Sequence, residues 1–241
     1  MMRLAPINDI WVYLAASPLL GLTITLLAYV LALAVHQRYR RHPLTNPVLL
    51  AVVLLVTLLL LTDTPYPSYF AGAQFVHFLL GPATVALAIP LYAQLGRVRA
   101  MRWPVLLGLA AGALTAVVSA VGSAWLLGAS VPTQLSLAPK SVTTPIAMAV
   151  AERIGGIASL TAVLVIVTGI VGAVIAPALF RLLRVQDHAI QGFALGVTAH
   201  GIGTARALQI SEEAGAFAAL AMGLNGVVTA LLLPALFSGW R

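Results

Sequence analysis

A chain of 241 residues that is 61% hydrophobic and only 8% charged, with a mean hydropathy of +1.03, has too little polar surface to coat a water-facing globule. Its length has room for about six to eight spanning or re-entrant segments, and leaves nothing for a large soluble domain. The net charge of +7 lies in short basic clusters between apolar runs, without interleaved aromatics; it reads as topology signalling beside lipid headgroups and argues against nucleic acid as a partner.

The expected fold is all-α: a polytopic transmembrane helical bundle forming a single domain over 1–241. MMRLAPINDI lacks a cleavable signal pattern, and the apolar run behind it is too long for a signal peptide. It reads as the first span, 10–35, ending in a cluster that holds His36, Arg38, Arg40 and Arg41. Further runs follow at 44–62, closed by Asp63 and a Pro-rich turn, and at 68–95, interrupted by Gly81-Pro82 and Pro90 and closed by Arg97, Arg99 and Arg102. The run 104–127 is a plain span.

The second half is less regular. Pro132, Pro139, Lys140 and Pro145 make 131–153 a poor continuous helix. Clean spans are expected at 154–180 and 214–238, the latter anchored by Trp240 and Arg241, with a short Gly-rich broken segment at 189–206 between them. The arginine-rich loops 36–43 and 96–103 are expected on the cytoplasmic side. Arg181 and Arg184 join them only if 131–153 dips in and returns, so the re-entrant reading is preferred.

Thr84-Val85-Ala86-Leu87-Ala88-Ile89 and Ser141-Val142-Thr143-Thr144-Pro145-Ile146 each follow a proline and lead into an apolar run. Paired Pro/Gly-broken segments suggest an internal repeat and point to a transporter's binding site. Irregular backbone at membrane depth must be buried or line a wet cavity, and half-helix N-termini attract anions. A tip-to-tip approach of 82–90 and 139–145 is therefore expected.

Ionisable groups inside apolar sequence are costly and face a bundle interior or a polar path. Lys140, the only lysine of the chain, is flanked by Ser141, Thr143 and Thr144, a setting suited to a small anion. His200 lies in the glycine-rich run Gly196 to Thr204, and Thr84 and Thr204 add hydroxyls. These seven residues form the expected substrate site. Glu152, Arg153, Arg206 and His77 are candidates for coupling or gating, and Glu212 and Glu213 mark a solvated turn. The absence of cysteine excludes disulfides and thiolate metal sites. No metal or other cofactor is expected, and no metalloprotease, serine-hydrolase or P-loop signature argues for an enzyme. Small-residue pairs Gly108/Gly112 and Gly192/Gly196 suggest a homodimer.

The runs Phe78–Tyr92, Pro139–Ala147, Gly155-Gly156 and Thr198–Ala205 resemble those of the LrgB/CidB family of bacterial membrane proteins, over about residues 10 to 238. The resemblance implies a multi-pass protein of the bacterial inner (cytoplasmic) membrane. It implies either a secondary transporter of small monocarboxylates (the glycolate, glycerate, pyruvate or lactate class) or an antiholin-like regulator of murein hydrolase export and lysis. In both cases a small LrgA/CidA-like membrane protein is the implied partner. A lone lysine beside broken helices favours the transporter, working by alternating access in an elevator-like manner.

Overall fold

The computed structural model describes residues 18–39 and 45–237. Residues Arg40 and Arg41, the start of the first expected span, and the anchors Trp240 and Arg241 lie outside the described residues. Every regular element among those described is an α-helix. Five stretches are long and apolar enough to cross a membrane: Leu19–Arg38, Tyr66–Ala93, Arg102–Leu126, Ala158–Leu182 and Glu212–Phe237. Large apolar side chains such as Leu107, Val118, Val167 and Leu231 are exposed along these helices, the inverse of a water-soluble surface. This is a multi-pass membrane protein.

The chain divides into two compact units, 1–86 and 87–241. In the first, α1 (Pro18–Arg38) packs on α2 (Pro47–Leu61) and α3 (Tyr66–Phe78), and α4 (Leu80–Ala86) follows. Asn46 caps α2 by accepting from the backbone N–H groups of Val48 and Leu49, as an N-cap asparagine does. Thr25 and Tyr69 share a hydroxyl hydrogen bond of 2.8 Å between α1 and α3.

The second unit opens with two six-residue helices, α5 (Ala88–Ala93) and α6 (Leu95–Ala100), before the long α7 (Arg102–Leu126). The apolar run expected over 68–95 is thus jointed. Next come α8 (Val131–Leu137), α9 (Thr144–Ile154), α10 (Ala158–Leu182), α11 (His188–Leu208) and α12 (Glu212–Phe237).

Helices α8 and α9 form a closed excursion. Proline near the start of each helix and Pro139 between them remove backbone donors, so one continuous helix cannot form. Gly155, at φ 94°, ends α9, and the Gly156 N–H reaches back to the Ala151 carbonyl at 2.7 Å. That is the glycine stop of a Schellman turn. The chain is then back beside its origin. Ile157 N–H donates to Ser136 Oγ at 2.7 Å, and Thr161 Oγ1 donates to the Ser136 carbonyl at 3.0 Å. A methyl group added to Gly156 would lie 2.9 Å from Ser136 N. The segment leaves Ser136, turns at 138–143 and returns along α9.

Helix α11 is also folded on itself. Its trace breaks at His200, where φ 43° and ψ −131° are not helical. The first leg, 188–199, runs beside α12 in the same direction: Gly192 lies against Ala214 and Gly196 against Ala218. The second leg, 201–208, comes back, with Gly203 against the Leu195 carbonyl and Leu208 over Gly215. Both ends of the excursion meet Arg97, which pairs with Asp187 at 2.7 Å and with Glu213. Glu213 thus belongs to an ion-pair cluster in the first turn of α12, where the sequence suggested only a solvated turn.

These contacts correct the expected dimer faces. Gly192 and Gly196 are spent on the approach of α11 to α12. Gly108 and Gly112 face Phe193 and Val197 of α11, and a methyl at Gly112 would stand 2.8 Å from Val197 Cγ1. Small residues let two backbones approach, and here the second backbone belongs to the same chain.

Candidate functional site

The base of the α8–α9 excursion is the start of α10, and the base of the α11 excursion is joined to its end. A helix of 25 residues such as α10 is about 37 Å long, enough to cross a bilayer core. The two excursions therefore enter from opposite ends, and each is followed by one long helix. Arg181 and Arg184 end α10 near Asp187, at the end that holds Arg97. Val165 is about 11 Å along α10, in its first third, and Asn225 about 20 Å along α12, near its midpoint, so contacts with these residues lie inside the spanning helices rather than at their ends.

The two helix breaks meet there. Asn225 is 1% exposed, and its Nδ2 donates to the Ser141 carbonyl at 3.2 Å and to the Val197 carbonyl at 3.0 Å. One amide thus bridges the tip of the first excursion and the last turn before the break of the second. His200 Nε2 donates to the Val165 carbonyl at 3.0 Å. A carbonyl accepts only, which fixes the proton on that nitrogen.

Lys140 is half-buried between the buried Pro139 and Ser141. Its ammonium donates to Ser141 Oγ at 3.4 Å. The ion pairs among the described residues are both made by Arg97, so Lys140 has no carboxylate partner there. Thr143 is the N-cap of α9 and Thr144 its first residue, and no side-chain cap hydrogen bond is made at this helix start. The returning leg of α11 likewise starts at its break. Asn225 thus links the two breaks from which these helix N-termini start, and Lys140 is next in sequence to one of the residues it holds, an arrangement with the electrostatics of an anion site.

The break at His200 is costly, since a non-glycine residue in such a sparsely populated conformation stores about 1–3 kcal/mol. Packing holds it. His200 is 5% exposed, its carbonyl accepts from Thr204 Oγ1 at 2.9 Å, and its ring lies against Gly169. Val142, Ala147 and Val165 form an apolar cluster that fixes the first tip on α10.

Of the expected site residues, the structure brings Lys140, Ser141, Thr143, Thr144, His200 and Thr204 to this junction or one helical turn from it. Glu152 and Arg153 are exposed, about 12–14 Å along α9 from its start. Arg206 donates to Gln209 Oε1 at 2.7 Å near the base of the second excursion. The side chains of His77 and Thr84 lie outside the described residues, and the approach expected between 82–90 and 139–145 runs across the two units. Within the second unit, the segment that meets 138–143 is the break at His200. Asn225 was not anticipated. Its only signal was an amide flanked by Gly223 and Gly226 in an otherwise apolar run. Ser136 and Thr161, which close the first excursion, were missed as well. Among the described residues no group of three or more His, Asp or Glu side chains could hold a metal ion.

The LrgB-like family model matches residues 25–238. The uncharacterized protein YwbG of Bacillus subtilis (strain 168) is 40% identical over 222 residues, which is 91% of this chain and 97% of that protein. An uncharacterized protein of Haemophilus influenzae is 32% identical over 215 residues, covering 89% and 92%. The antiholin-like protein LrgB of Bacillus mycoides is 29% identical over 218 residues, covering 90% and 95%. No solved structure matches. With a family match over residues 25–238 and a relative 40% identical over 91% of the chain, this multi-pass membrane protein belongs to the LrgB-like family.

Proposed function

We propose that this chain is a secondary transporter of small monocarboxylates in the bacterial inner membrane, of the glycolate, glycerate, pyruvate or lactate class. One observation carries the reading: an ammonium without a carboxylate partner among the described residues, at a helix break joined to a second break through Asn225, halfway along α12. A desolvated cation is costly unless an anion compensates it. A small carboxylate supplies one charge and two acceptors. Ser141, Thr143 and Thr144 add hydroxyls, and His200 and Thr204 bound the far side. Two excursions entering from opposite ends suit alternating access, because either can open while the other stays closed. Glu152, Arg153 and Arg206, nearer the bases, would bear on that opening without touching substrate.

A second reading has its own support. The relatives from Bacillus mycoides and Bacillus cereus carry the name antiholin-like protein LrgB, and their names favour a regulator of murein hydrolase export and lysis over a carrier. Either activity is expected to involve a small LrgA/CidA-type membrane protein. Uptake of labelled glycolate, lactate and pyruvate into proteoliposomes, with and without that partner and a pH gradient, separates the two. Uptake that Lys140→Met abolishes supports transport. Folded protein that moves none of the acids, yet alters lysis when expressed in cells, leaves the regulator standing.

A further inference from the structure

Arg99, in the last turn of α6, and Arg102, the first residue of α7, are exposed and make no ion pair among the described residues. The carboxylates of Asp187 and Glu213 are held by Arg97 instead. Both free arginines line a cavity of about 370 Å³ whose other walls are apolar, chiefly Val105 and Leu106 of α7 and Leu220 and Leu224 of α12. Val105 packs with Phe217, and Leu109 with Ala221, so α7 and α12 run side by side in the same direction. Leu220 and Leu224 lie about 12 and 18 Å along α12. The cavity therefore starts at two guanidinium groups and deepens along apolar wall towards the middle of the bundle. It opens sideways, since Leu106 is half exposed, and Trp103 beside Arg102 is exposed at the level where tryptophans mark the membrane–water interface.

The geometry points to a binding site for one anionic phospholipid: Arg99 and Arg102 hold the headgroup phosphate, and an acyl chain lies between α7 and α12 along Val105, Leu106, Leu220 and Leu224. Charge complementarity selects the headgroup. Guanidinium groups match phosphate oxygens with paired N–H donors, and basic residues beside a spanning helix attract anionic lipid. Depth and size select the chain. A free phosphate would gain nothing from the apolar wall, whereas a partner helix about 10 Å across fills roughly 420 Å³ per turn, more than the whole cavity. Val105 also belongs to the cluster with Ala189 and Phe217, so an occupied groove braces the first leg of α11 against α7 and α12. A ligand that binds only the folded state stabilises it. The lipid site goes beyond the transport reading and holds whichever activity the chain has.

The test is thermal unfolding of the full chain in a neutral detergent, titrated with dioleoyl phosphatidylglycerol, dioleoyl phosphatidylcholine or soluble glycerol 3-phosphate. Phosphatidylglycerol is expected to raise the melting temperature at concentrations about tenfold below those needed of phosphatidylcholine, given a factor of roughly five per arginine. Glycerol 3-phosphate should have no effect. The double variant Arg99→Gln/Arg102→Gln should lose the preference, and Arg181→Gln, outside the groove, should keep it. Leu106→Trp, which fills the groove and leaves both arginines, should weaken the response to phosphatidylglycerol at least severalfold. If the double variant is not recovered folded, the wild-type ranking and Leu106→Trp decide. Equal responses to the two lipids overturn the inference, as does a preference that survives the double substitution. A response to glycerol 3-phosphate equal to that of the lipid, or one that Leu106→Trp leaves unchanged, removes the acyl chain and overturns it as well.

Discussion

His200 and Val165 are 35 residues apart in sequence, and the imidazole Nε2 of the first donates to the backbone carbonyl of the second at 3.0 Å. That bond ties a strained turn to the first third of a spanning helix. It explains why a residue with φ 43° persists where a continuous helix would be easier. Gly169, one turn further along α10, makes room for the ring: a methyl there would lie 2.9 Å from Nε2. Gly169→Ala is therefore expected to displace His200 and reduce uptake several-fold with the protein still inserted. Unchanged uptake kinetics in a variant of wild-type thermal stability would show that the ring position is unimportant.

Lys140→Met removes the charge while keeping much of the volume. Hydrogen bonds to charged groups contribute about 1.5–3 kcal/mol, so carboxylate binding should weaken about tenfold to a hundredfold. Lys140→Arg should restore only part of it, because a planar fork replaces a compact ammonium. Equilibrium binding of labelled glycolate to the purified variants measures both. A Lys140→Met protein with normal affinity would make the lysine a structural residue.

The closed excursions give a definite sidedness. Cysteines placed at Arg99 and Arg184 should be labelled by an impermeant maleimide only from the cytoplasmic side, and one at Gly155 only from the outside. Opposite labelling of positions 99 and 184 would mean that the α8–α9 segment crosses the membrane instead of returning.

Arg97 holds Asp187 and Glu213 together at the base of the second excursion. The groups are partly exposed, so each pair is worth at most about 1 kcal/mol. Arg97→Gln should lower the melting temperature by only a few degrees. Its larger effect should be proteolytic nicking at 184–188 or 209–212. Protease resistance equal to wild type would remove the clasp from the account.

Gly196 abuts Ala218 with no space for a side chain. Gly196→Val should separate α11 from α12 at a cost of about 1–3 kcal/mol, seen as a lower yield of monodisperse protein in detergent. A surface role in dimerisation would instead change the oligomer size and leave stability alone.

Composition alone settles the class of this protein: at 8% charged residues and a mean hydropathy of +1.03, only a bilayer is a tolerable solvent. The breaks at Pro139 and Pro145 are legible because a missing donor acts on its own turn of helix, whereas the glycine stop at Gly155 lies inside the span expected over 154–180. Lys140 and His200 stand out for a similar local reason, as ionisable groups in apolar runs. Which break meets which is decided elsewhere. Residues 84–89 resemble 141–146, each stretch following a proline, yet the segment that joins 138–143 within its unit is the turn at His200, whose break has no proline and depends on Val165, Gly169 and Thr204. Asn225 contributes through carbonyls 84 and 28 residues away. The glycine pairs reveal a close helix contact but not whose helix it is. Local chemistry acts within a turn or two and can be read along the chain; a hydrogen bond across such separations exists only once packing has brought its two ends together.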